Sequence, residues 1–204
     1  MLAYLFWHRP LESADVEAYE GSQVNFHRSL RRSPPVGMRG SAAFRLPRLP
    51  FLASGDGTGG EAHPGYEDWY LVEDFAALGV LNEAAVGVGH RTAHDGAARS
   101  LGAGAGGLYG LVEGDQRGGL ESICQAAPAV WVERPAGSRG SVVAELLGDG
   151  MEPGRASLWR RQLVLGPAPE LCLLSSELPT GVAPTRLPEG WKTIVVEREL
   201  LWGG

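Results

Sequence analysis

Hydrophobic and polar positions along the first half of the chain follow two spacings, one typical of strands and one typical of helices. Residues 3–7 form an aromatic-rich run that predicts a buried strand, ended by a proline. Val16, Tyr19, Gln23, Phe26 and Leu30 then fall three or four positions apart, an amphipathic stripe that is apolar except at Gln23, with Ser13 or Asp15 placed to cap a helix. Two further prolines end that helix, so the pattern predicts a strand followed by an amphipathic helix.

The patterns that follow complete a β-α-β-β-α-β order, which is that of a ferredoxin-like unit. Asp74 precedes the longer of two further helices and can cap it. A Pro/Gly-rich stretch at 47–65 is too long for an ordinary connection, and the glycine-rich run 102–107 is expected to be a flexible hinge. The predicted elements are strands at 40–46, 66–72 and 108–113 and helices at 75–86 and 93–101.

The second half of the chain echoes the first, most clearly at its first strand. Residues 131–135 repeat the aromatic strand of residues 6–10, including its Arg-Pro ending. We therefore expect an α+β fold of two tandem ferredoxin-like halves, residues 1–119 and a degenerate copy at 120–204. They are expected to pack as one domain, with antiparallel sheets that form a barrel-like core. The copy has predicted elements at 141–147 (helix), 157–165, 170–176 and 192–201 (strands), while prolines occupy the place of a second helix.

Several segments of the first half resemble one known group of proteins. The first strand ends in Arg9-Pro10, and the next helix contains Glu-Ala-Tyr-Glu and then Asn-Phe-His-Arg-Ser-Leu. The later segment Asp-Trp-Tyr-Leu-Val-Glu at 68–73, followed by Phe-Ala-Ala-Leu, has the form of that group's third strand and the helix after it. Together these segments resemble EthD-like and antibiotic-monooxygenase-like dimeric α/β-barrel proteins over residues 2–113.

The resemblance implies a fold more than an activity. In that group the first helix often carries a Tyr/Phe…His segment, matched here by Tyr19, Phe26 and His27. Members include cofactor-free oxygenases, isomerases, decarboxylases and haem-handling proteins, and in internally duplicated members one chain forms the whole barrel. The leading hypothesis is a small-molecule enzyme, a cofactor-free oxygenase or isomerase that acts on an apolar or aromatic substrate. The alternatives are a protein that binds haem or another hydrophobic ligand and a non-catalytic interaction module, so whether the chain is an enzyme stays open.

Two histidines are the candidate catalytic residues. His8 closes the first strand and His27 lies beside the apolar stripe of the first helix, so strand–helix packing would bring both to the space between sheet and helices. A neutral imidazole there can act as a general base, or as a haem ligand. The alternative for each is a histidine at the edge of an element, bonded to backbone or solvent.

The candidate binding residues come from the same elements. Arg9 or Arg45 would hold an anionic group, because a guanidinium makes bidentate contacts with planar anions. Trp7, Tyr19 and Trp69 would line a pocket suited to a planar organic ligand. The alternatives are an arginine-rich solvated face and aromatic residues that only pack the core.

Metal binding is not expected from the spacing of the possible ligands. His90 and His94 are four residues apart and Asp95 follows, but glycines flank them and the acid of an HExxH motif is missing, and Cys124 and Cys172 form no CxxC motif. No organic cofactor is expected for the leading hypothesis, and haem belongs to the alternative.

Composition argues against nucleic acid and membranes as partners, which leaves a small-molecule ligand as the expected partner. A net charge of -6 lacks the basic footprint of a general nucleic-acid-binding protein. No apolar run approaches the ~20 residues needed to cross a bilayer. The apolar start of the chain has no basic segment before it, so we expect no secretory leader and a cytoplasmic location. Exposed strand edges are compatible with a homodimer.

Overall fold

A computed structural model describes residues 1–52, 63–87, 89–114, 119–126, 128–138, 156–162, 167–176 and 189–204. In these ranges the chain is an α+β protein with nine strands and four helices. The strands are β1 (Leu2–Pro10), β2 (Met38–Leu46), β3 (Gly65–Val72), β4 (Leu101–Glu113), β5 (Pro128–Glu133), β6 (Ala156–Arg161), β7 (Leu171–Ser175), β8 (Lys192–Glu197) and β9 (Glu199–Gly203). The helices are α1 (Val16–Arg32), α2 (Phe75–Val86), α3 (Arg91–Ala98) and α4 (Gly119–Gln125).

The nine strands form one antiparallel sheet that curls into a half-barrel. Their order is β8-β5-β7-β6-β4-β1-β3-β2-β9. The strands at the two ends of this order, β8 and β9, are consecutive in the chain and are separated by Arg198 alone. One residue spans less than 4 Å, so the two ends of the sheet must approach each other. The rings of Trp7 on β1 and Trp131 on β5 lie 5.5 Å apart although three strands separate them in the sheet order, which shows the same curvature.

The two faces of the sheet have different environments because successive side chains of a strand point to opposite faces. The inner face carries the aromatic core, and its four tryptophans are completely buried: Trp7, Trp69, Trp131 and Trp159. The other face of β1, β3 and β4 is covered by helices, and Tyr70 and Leu108 pack there with Phe26 and Leu81. Neighbouring residues such as Trp7 and His8 therefore belong to different compartments.

Of the two caps predicted for the first helix, Asp15 is the one that the structure uses, and the predicted cap Asp74 is confirmed. Asp15 accepts a hydrogen bond from the Ala18 backbone N–H at 2.8 Å, and α1 begins at the next residue. Asp74 accepts from the Ala77 N–H at 2.9 Å, and α2 has the predicted bounds. A carboxylate at this position satisfies a backbone donor that has no partner inside the helix. None of the helices in the described ranges is long and apolar enough to cross a membrane.

The glycine-rich run 102–107 was expected to be a hinge, and that expectation is wrong. It belongs to β4 and pairs with β1 in continuous register from Leu2 to Arg9. The missing side chains make room for large neighbours, because a Cβ on Gly106 would lie 2.5 Å from the Tyr4 hydroxyl. Glycine is thus used here for close packing against aromatic rings rather than for flexibility.

Other predicted elements differ from the structure in their bounds. The closing strand expected at 192–201 is two strands, since Arg198 turns into the core between β8 and β9. Helix α4 was not predicted, and α3 is shorter than its pattern suggested. In the long stretch 47–65, Leu49 and Phe51 are buried in the core. The predicted helix at 141–147 and most of that long stretch lie outside the described residues.

Candidate functional site

A cavity of about 750 Å³ lies between the helix-covered face of the sheet and helices α1, α2 and α3. Strands β1 and β3 supply its floor, and the three helices supply its walls. Most of its lining is apolar, which suits a small organic molecule. The lining residues are Tyr4, Phe6, Gln23, Phe26, Asp68, Tyr70, Phe75, Leu78, Gly79, Leu81, Asn82, Ala85, Val86, His94, Ala97, Ala98 and Leu101.

A buried carboxylate, Asp68, lies on the floor of this cavity between two buried imidazoles. His8 Nε2 is 3.2 Å from Asp68 Oδ2, and His27 Nε2 is 3.3 Å from Asp68 Oδ1. The His27 contact is within ion-pair range but lacks hydrogen-bond geometry, so Oδ1 has no hydrogen-bond partner. All three side chains are at most 2% exposed. Strand–helix packing therefore brings together the two histidines that the sequence singled out.

Two tyrosines complete this group. The Tyr70 hydroxyl donates to Asp68 Oδ2 at 3.0 Å, and its ring stacks on the His27 ring with centroids 5.0 Å apart. The Tyr19 hydroxyl lies 2.5 Å from His8 Nδ1. We call these five residues, His8, Tyr19, His27, Asp68 and Tyr70, the Asp68 cluster. Its members come from β1, α1 and β3, so the cluster forms only when helix and sheet pack together.

The cluster favours an ionised carboxylate flanked by protonated phenols. Burial acts to raise the pKa of Asp68, but its attraction to His27 and His8 outweighs burial and holds this pKa well below its usual range. Burial, together with the nearby Asp68 charge, raises the pKa of Tyr70 and of Tyr19 above the ordinary tyrosine value. Both hydroxyls therefore stay protonated at neutral pH and remain hydrogen-bond donors.

This arrangement can accept and distribute a proton. His8 Nε2 is within hydrogen-bond distance of Asp68 Oδ2, and His27 Nε2 is in ion-pair contact with Oδ1; which ring nitrogen of each histidine carries a proton depends on its tautomer. A proton that reaches Asp68 from the cavity can thus be shared with an imidazole 3.2–3.3 Å away. Acid–base catalysis needs a proton acceptor within hydrogen-bond reach of the substrate, and Asp68 lies on the cavity wall.

The aromatic residues predicted to line a pocket divide between the two faces of the sheet. Tyr19 joins the Asp68 cluster, as described above. Trp7 and Trp69 instead lie in the inner core, where their indole N–H groups donate to Glu67 at 2.8 and 2.7 Å. Neither tryptophan is among the residues that line the cavity. The reason is that successive side chains of a strand point to opposite faces of the sheet. Trp7 therefore points away from the face that carries His8, and Trp69 away from the face that carries Asp68.

The two arginines proposed to hold an anionic group are engaged elsewhere. The Arg45 guanidinium donates to both carboxylate oxygens of Glu20, with Nε–Oε1 at 2.7 Å, and to Glu199 at 2.9 Å. Arg9 donates to the Leu49 backbone carbonyl at 3.2 Å. Neither lines the cavity. Arg45 therefore joins α1, β2 and β9 as part of the scaffold.

The inner core contains a second polar group that the sequence analysis missed. Glu67 and Arg198 form a completely buried ion pair with Nη1–Oε1 at 3.3 Å. Arg198 also donates to the backbone carbonyls of Ile123 and Ala126, and it stacks over the Phe44 ring at 4.1 Å. The contacts with Glu67 and Phe44 tie the β8–β9 junction to β3 and β2, and the two carbonyl contacts tie it to α4. The pair therefore has a structural role in closing the half-barrel.

Asp68 is the functional candidate that sequence reasoning overlooked, and the role of its neighbour Tyr70 as a hydrogen-bond donor to it was not predicted. Both residues lie in a segment read only as a strand, although Glu67-Asp68 places two acidic residues inside a fully buried strand. Buried carboxylates are rare unless they are paired. That pairing requirement is the signal that could have identified Asp68 as a partner of the histidines.

The residues present do not fit a haem held by His8 or His27. His8 has both ring nitrogens engaged, by Tyr19 and Asp68, and neither histidine lines the cavity. Among the described residues that do line it, no arginine or lysine is available to meet haem propionates. Across all the residues that the structure describes, no group of three or more His, Cys, Asp or Glu side chains is arranged to hold a metal ion.

Comparison of the chain with models of protein families, with curated proteins and with solved structures found no match. The likeness to EthD-like proteins therefore rests on the sequence segments alone. The structure adds an α+β class with a curled antiparallel sheet of nine strands in the described ranges.

Proposed function

We propose that this protein is a small-molecule enzyme that removes a proton from an apolar or aromatic substrate bound in the cavity. One observation carries the proposal: Asp68 lines an apolar cavity of about 750 Å³ while its carboxylate lies within 3.3 Å of two buried imidazoles. Buried carboxylate–imidazole pairs in clefts are typical of acid–base sites. The reaction class is isomerisation or oxygenation without an organic cofactor, since both begin with a carbanion or enolate formed by proton removal.

The cluster would divide the work among its members. Asp68 accepts the proton from the substrate and His27 takes it over, so that the negative charge on Asp68 is kept, while His8 accepts from Tyr19 at Nδ1 and donates to Asp68 from Nε2. Tyr70 donates to Asp68 and orients the carboxylate, while Tyr19 orients His8. The aromatic and aliphatic walls position the substrate and exclude water, which strengthens the electrostatic interactions in the site.

Exchange of substrate hydrogen for deuterium tests this function without knowledge of the final product. The probe is 2-tetralone, an aromatic-fused ketone with acidic hydrogens, incubated with the protein in D₂O and followed by proton NMR. We expect the protein to accelerate exchange over buffer and Asp68→Asn to reduce the acceleration by about 10²-fold or more, the usual contribution of a positioned general base.

Two tryptophan variants serve as a matched pair for the same experiment. Gly79 lines the cavity on α2 and Gly21 lies on the exposed side of α1, and a Cβ on either would meet nothing within 4 Å. Gly79→Trp should fill the cavity and abolish exchange, whereas Gly21→Trp should leave it unchanged. Exchange that persists in Asp68→Asn would refute the catalytic role. Saturable binding of 2-tetralone without exchange would favour the ligand-binding protein.

We also propose that the chain contains two ferredoxin-like halves, in the manner of internally duplicated EthD-like proteins. Strand order supports this, since β4-β1-β3-β2 and β8-β5-β7-β6 both follow the pattern fourth-first-third-second within their half. The repeated Arg-Pro ending at 9–10 and 134–135 supports it as well. An experimental structure in which residues 141–147 are not helical would count against the duplication, because that helix should join β5 to β6.

A further inference from the structure

The cavity was expected to hold an anionic group, but its described lining residues include an acidic side chain and no strongly basic one. Among the described residues that line it, the groups able to carry charge are Asp68 and His94, and neither arginine nor lysine is present. His94 Nδ1 lies 3.6 Å from the carboxylate of its own neighbour, Asp95. The imidazole therefore already has an acidic group beside it, and Asp68 is the acidic group at the floor of the cavity, with His8 and His27 behind it and not among the lining residues.

The carboxylate retains capacity to accept hydrogen bonds. Asp68 Oδ2 is engaged by Tyr70 and His8, whereas Oδ1 has no hydrogen-bond partner although the side chain is 2% exposed. A carboxylate has about four lone-pair sites, and a buried one that is not fully used is costly. Asp68 lines the cavity, so a ligand that donates an N–H to this carboxylate could supply the missing hydrogen bond.

Aromatic rings surround this carboxylate. Tyr4 and Phe6 from β1, Phe26 from α1 and Phe75 from α2 all line the cavity. Phe26 lies within ring-contact distance of Tyr70 and His94, at 6.2 and 5.5 Å, so the rings form a connected wall. Aromatic faces attract cations, and the attraction is greater at sites shielded from water. The same wall offers apolar area to the body of a ligand.

From this combination we propose that the cavity selects an organic amine: a protonated amino group on an aromatic or aliphatic body, with Asp68 as its counter-ion. An anionic ligand would instead meet an ionised carboxylate with no guanidinium or ammonium group among the described lining residues, and such like-charge contacts select against a ligand. This inference rests on the proposed function only in taking the same cavity as the ligand site, and it names the class of ligand that the cavity takes.

Three naphthalene probes of nearly equal size test the charge preference by isothermal titration at pH 8. They are 2-(aminomethyl)naphthalene, which is a cation, 2-(hydroxymethyl)naphthalene, which is neutral, and 2-naphthoate, which is an anion. We expect the amine to bind at least tenfold more tightly than the alcohol, and 2-naphthoate to bind most weakly. Gly79→Trp should remove binding of all three, and Gly21→Trp should change none.

The wild-type comparison decides the proposal even if Asp68→Asn folds poorly. Where that variant does fold, it should lose the tenfold preference for the amine while keeping its affinity for the alcohol within about threefold. Alcohol or naphthoate binding as tightly as the amine, and sensitive to Gly79→Trp, would overturn the amine preference but leave the ligand site of the proposed function intact. Failure of all three probes to bind, or binding that Gly79→Trp leaves unchanged, would overturn both.

Discussion

At the scale of single residues, the chain places a carboxylate where an unpaired charge would destabilise the fold. Asp68 is buried against α1, and it is tolerated because two imidazoles and one phenol surround it. A buried charge is stable only when hydrogen bonds and opposite charges replace its hydration. The stability of the first half and the chemistry of the cavity therefore depend on the same side chain.

Replacing Asp68 by Asn should lower the free energy of unfolding by about 2–3 kcal/mol at pH 7, the range expected for loss of a hydrogen bond to a charged group. The amide keeps the shape but removes the charge and turns an N–H₂ group toward a donor. Urea unfolding followed by circular dichroism measures the change. Asp15→Asn is the matched control, because Asn caps a helix as well as Asp does and the change should stay within about 0.5 kcal/mol. Equal losses in the two variants would contradict the account.

The stabilisation by Asp68 should fade in acid. Its pKa is lower in the folded protein than in the unfolded chain, where an Asp titrates near about 3.9, so its contribution is complete above that value. Below it the unfolded chain takes up a proton that folded Asp68 does not, and the contribution declines as the pH falls. The difference in unfolding free energy between wild type and Asp68→Asn should therefore be constant above about pH 5 and shrink as the pH falls from about 5 to about 3. A difference that grows toward acid would show that the carboxylate is not held ionised.

At the scale of elements, β4 shows how glycines in a strand position the aromatic side chains of its neighbour. Gly106 leaves room for Tyr4 on the cavity side, and Gly107 leaves room for Trp7 on the core side. The register pairs Gly106 with Phe6 and Gly107 with Leu5, so Tyr4 and Trp7 are the diagonal neighbours whose rings cover the two glycines. The floor of the cavity and the inner core thus both depend on this strand.

Gly107→Ala should destabilise the protein by about 1–3 kcal/mol, the typical cost of overpacking a filled core. Its Cβ would lie 2.9 Å from the Trp7 ring and 3.1 Å from the Tyr109 ring, and both rings are completely buried. Gly21→Ala on α1 should act in the opposite direction and stabilise by up to about 1 kcal/mol, because alanine favours a helix and nothing lies within reach of its Cβ. Thermal and urea unfolding of both variants measure the sign, and the same sign for both would refute this interpretation of β4.

At the scale of the whole molecule, a single residue joins the two ends of the sheet. Arg198 separates β8 from β9, and its side chain points into the core toward Glu67. The ion pair and the two carbonyl contacts hold α4 and the β8–β9 junction against β3. Closure of the half-barrel therefore depends on a polar group inside an otherwise aromatic core.

Arg198→Met should lower the free energy of unfolding by about 3–5 kcal/mol, because it leaves the Glu67 charge buried without its partner. The double variant Glu67→Gln/Arg198→Met should recover much of that loss, since both charges are then removed. Arg39→Met is the control: Arg39 pairs with Glu73 at 2.6 Å, but both side chains are about half exposed or more, and such pairs contribute little. Urea unfolding compares the variants, and a loss in Arg198→Met no greater than in Arg39→Met would exclude the closure role.

Local patterns predicted most of the elements of the first half correctly. The bounds of α2, the caps at Asp15 and Asp74 and the strand positions of β1, β2 and β3 follow from periodicity and capping chemistry. The division at Arg198 and helix α4 were missed, because a buried arginine between two strands and a seven-residue helix have no strong local pattern. Among the candidate site residues, packing brings His8, His27 and Tyr19 together around Asp68, although none of the three lines the cavity.

The amino-acid sequence by itself determined the local structure and the α+β class, and it was enough to select His8 and His27 as candidates from their positions on the first strand and helix. All of these follow from residue spacing within short segments. Only the tertiary structure decided which chemistry those histidines meet. Strand alternation sends Trp7 and Trp69 to the inner core and Asp68 to the cavity, and curling of the sheet lets Arg198 reach Glu67. The partners of a buried charge are set by packing between elements far apart in the chain. Asp68 and His8 are separated by 60 positions, and no local pattern encodes their contact.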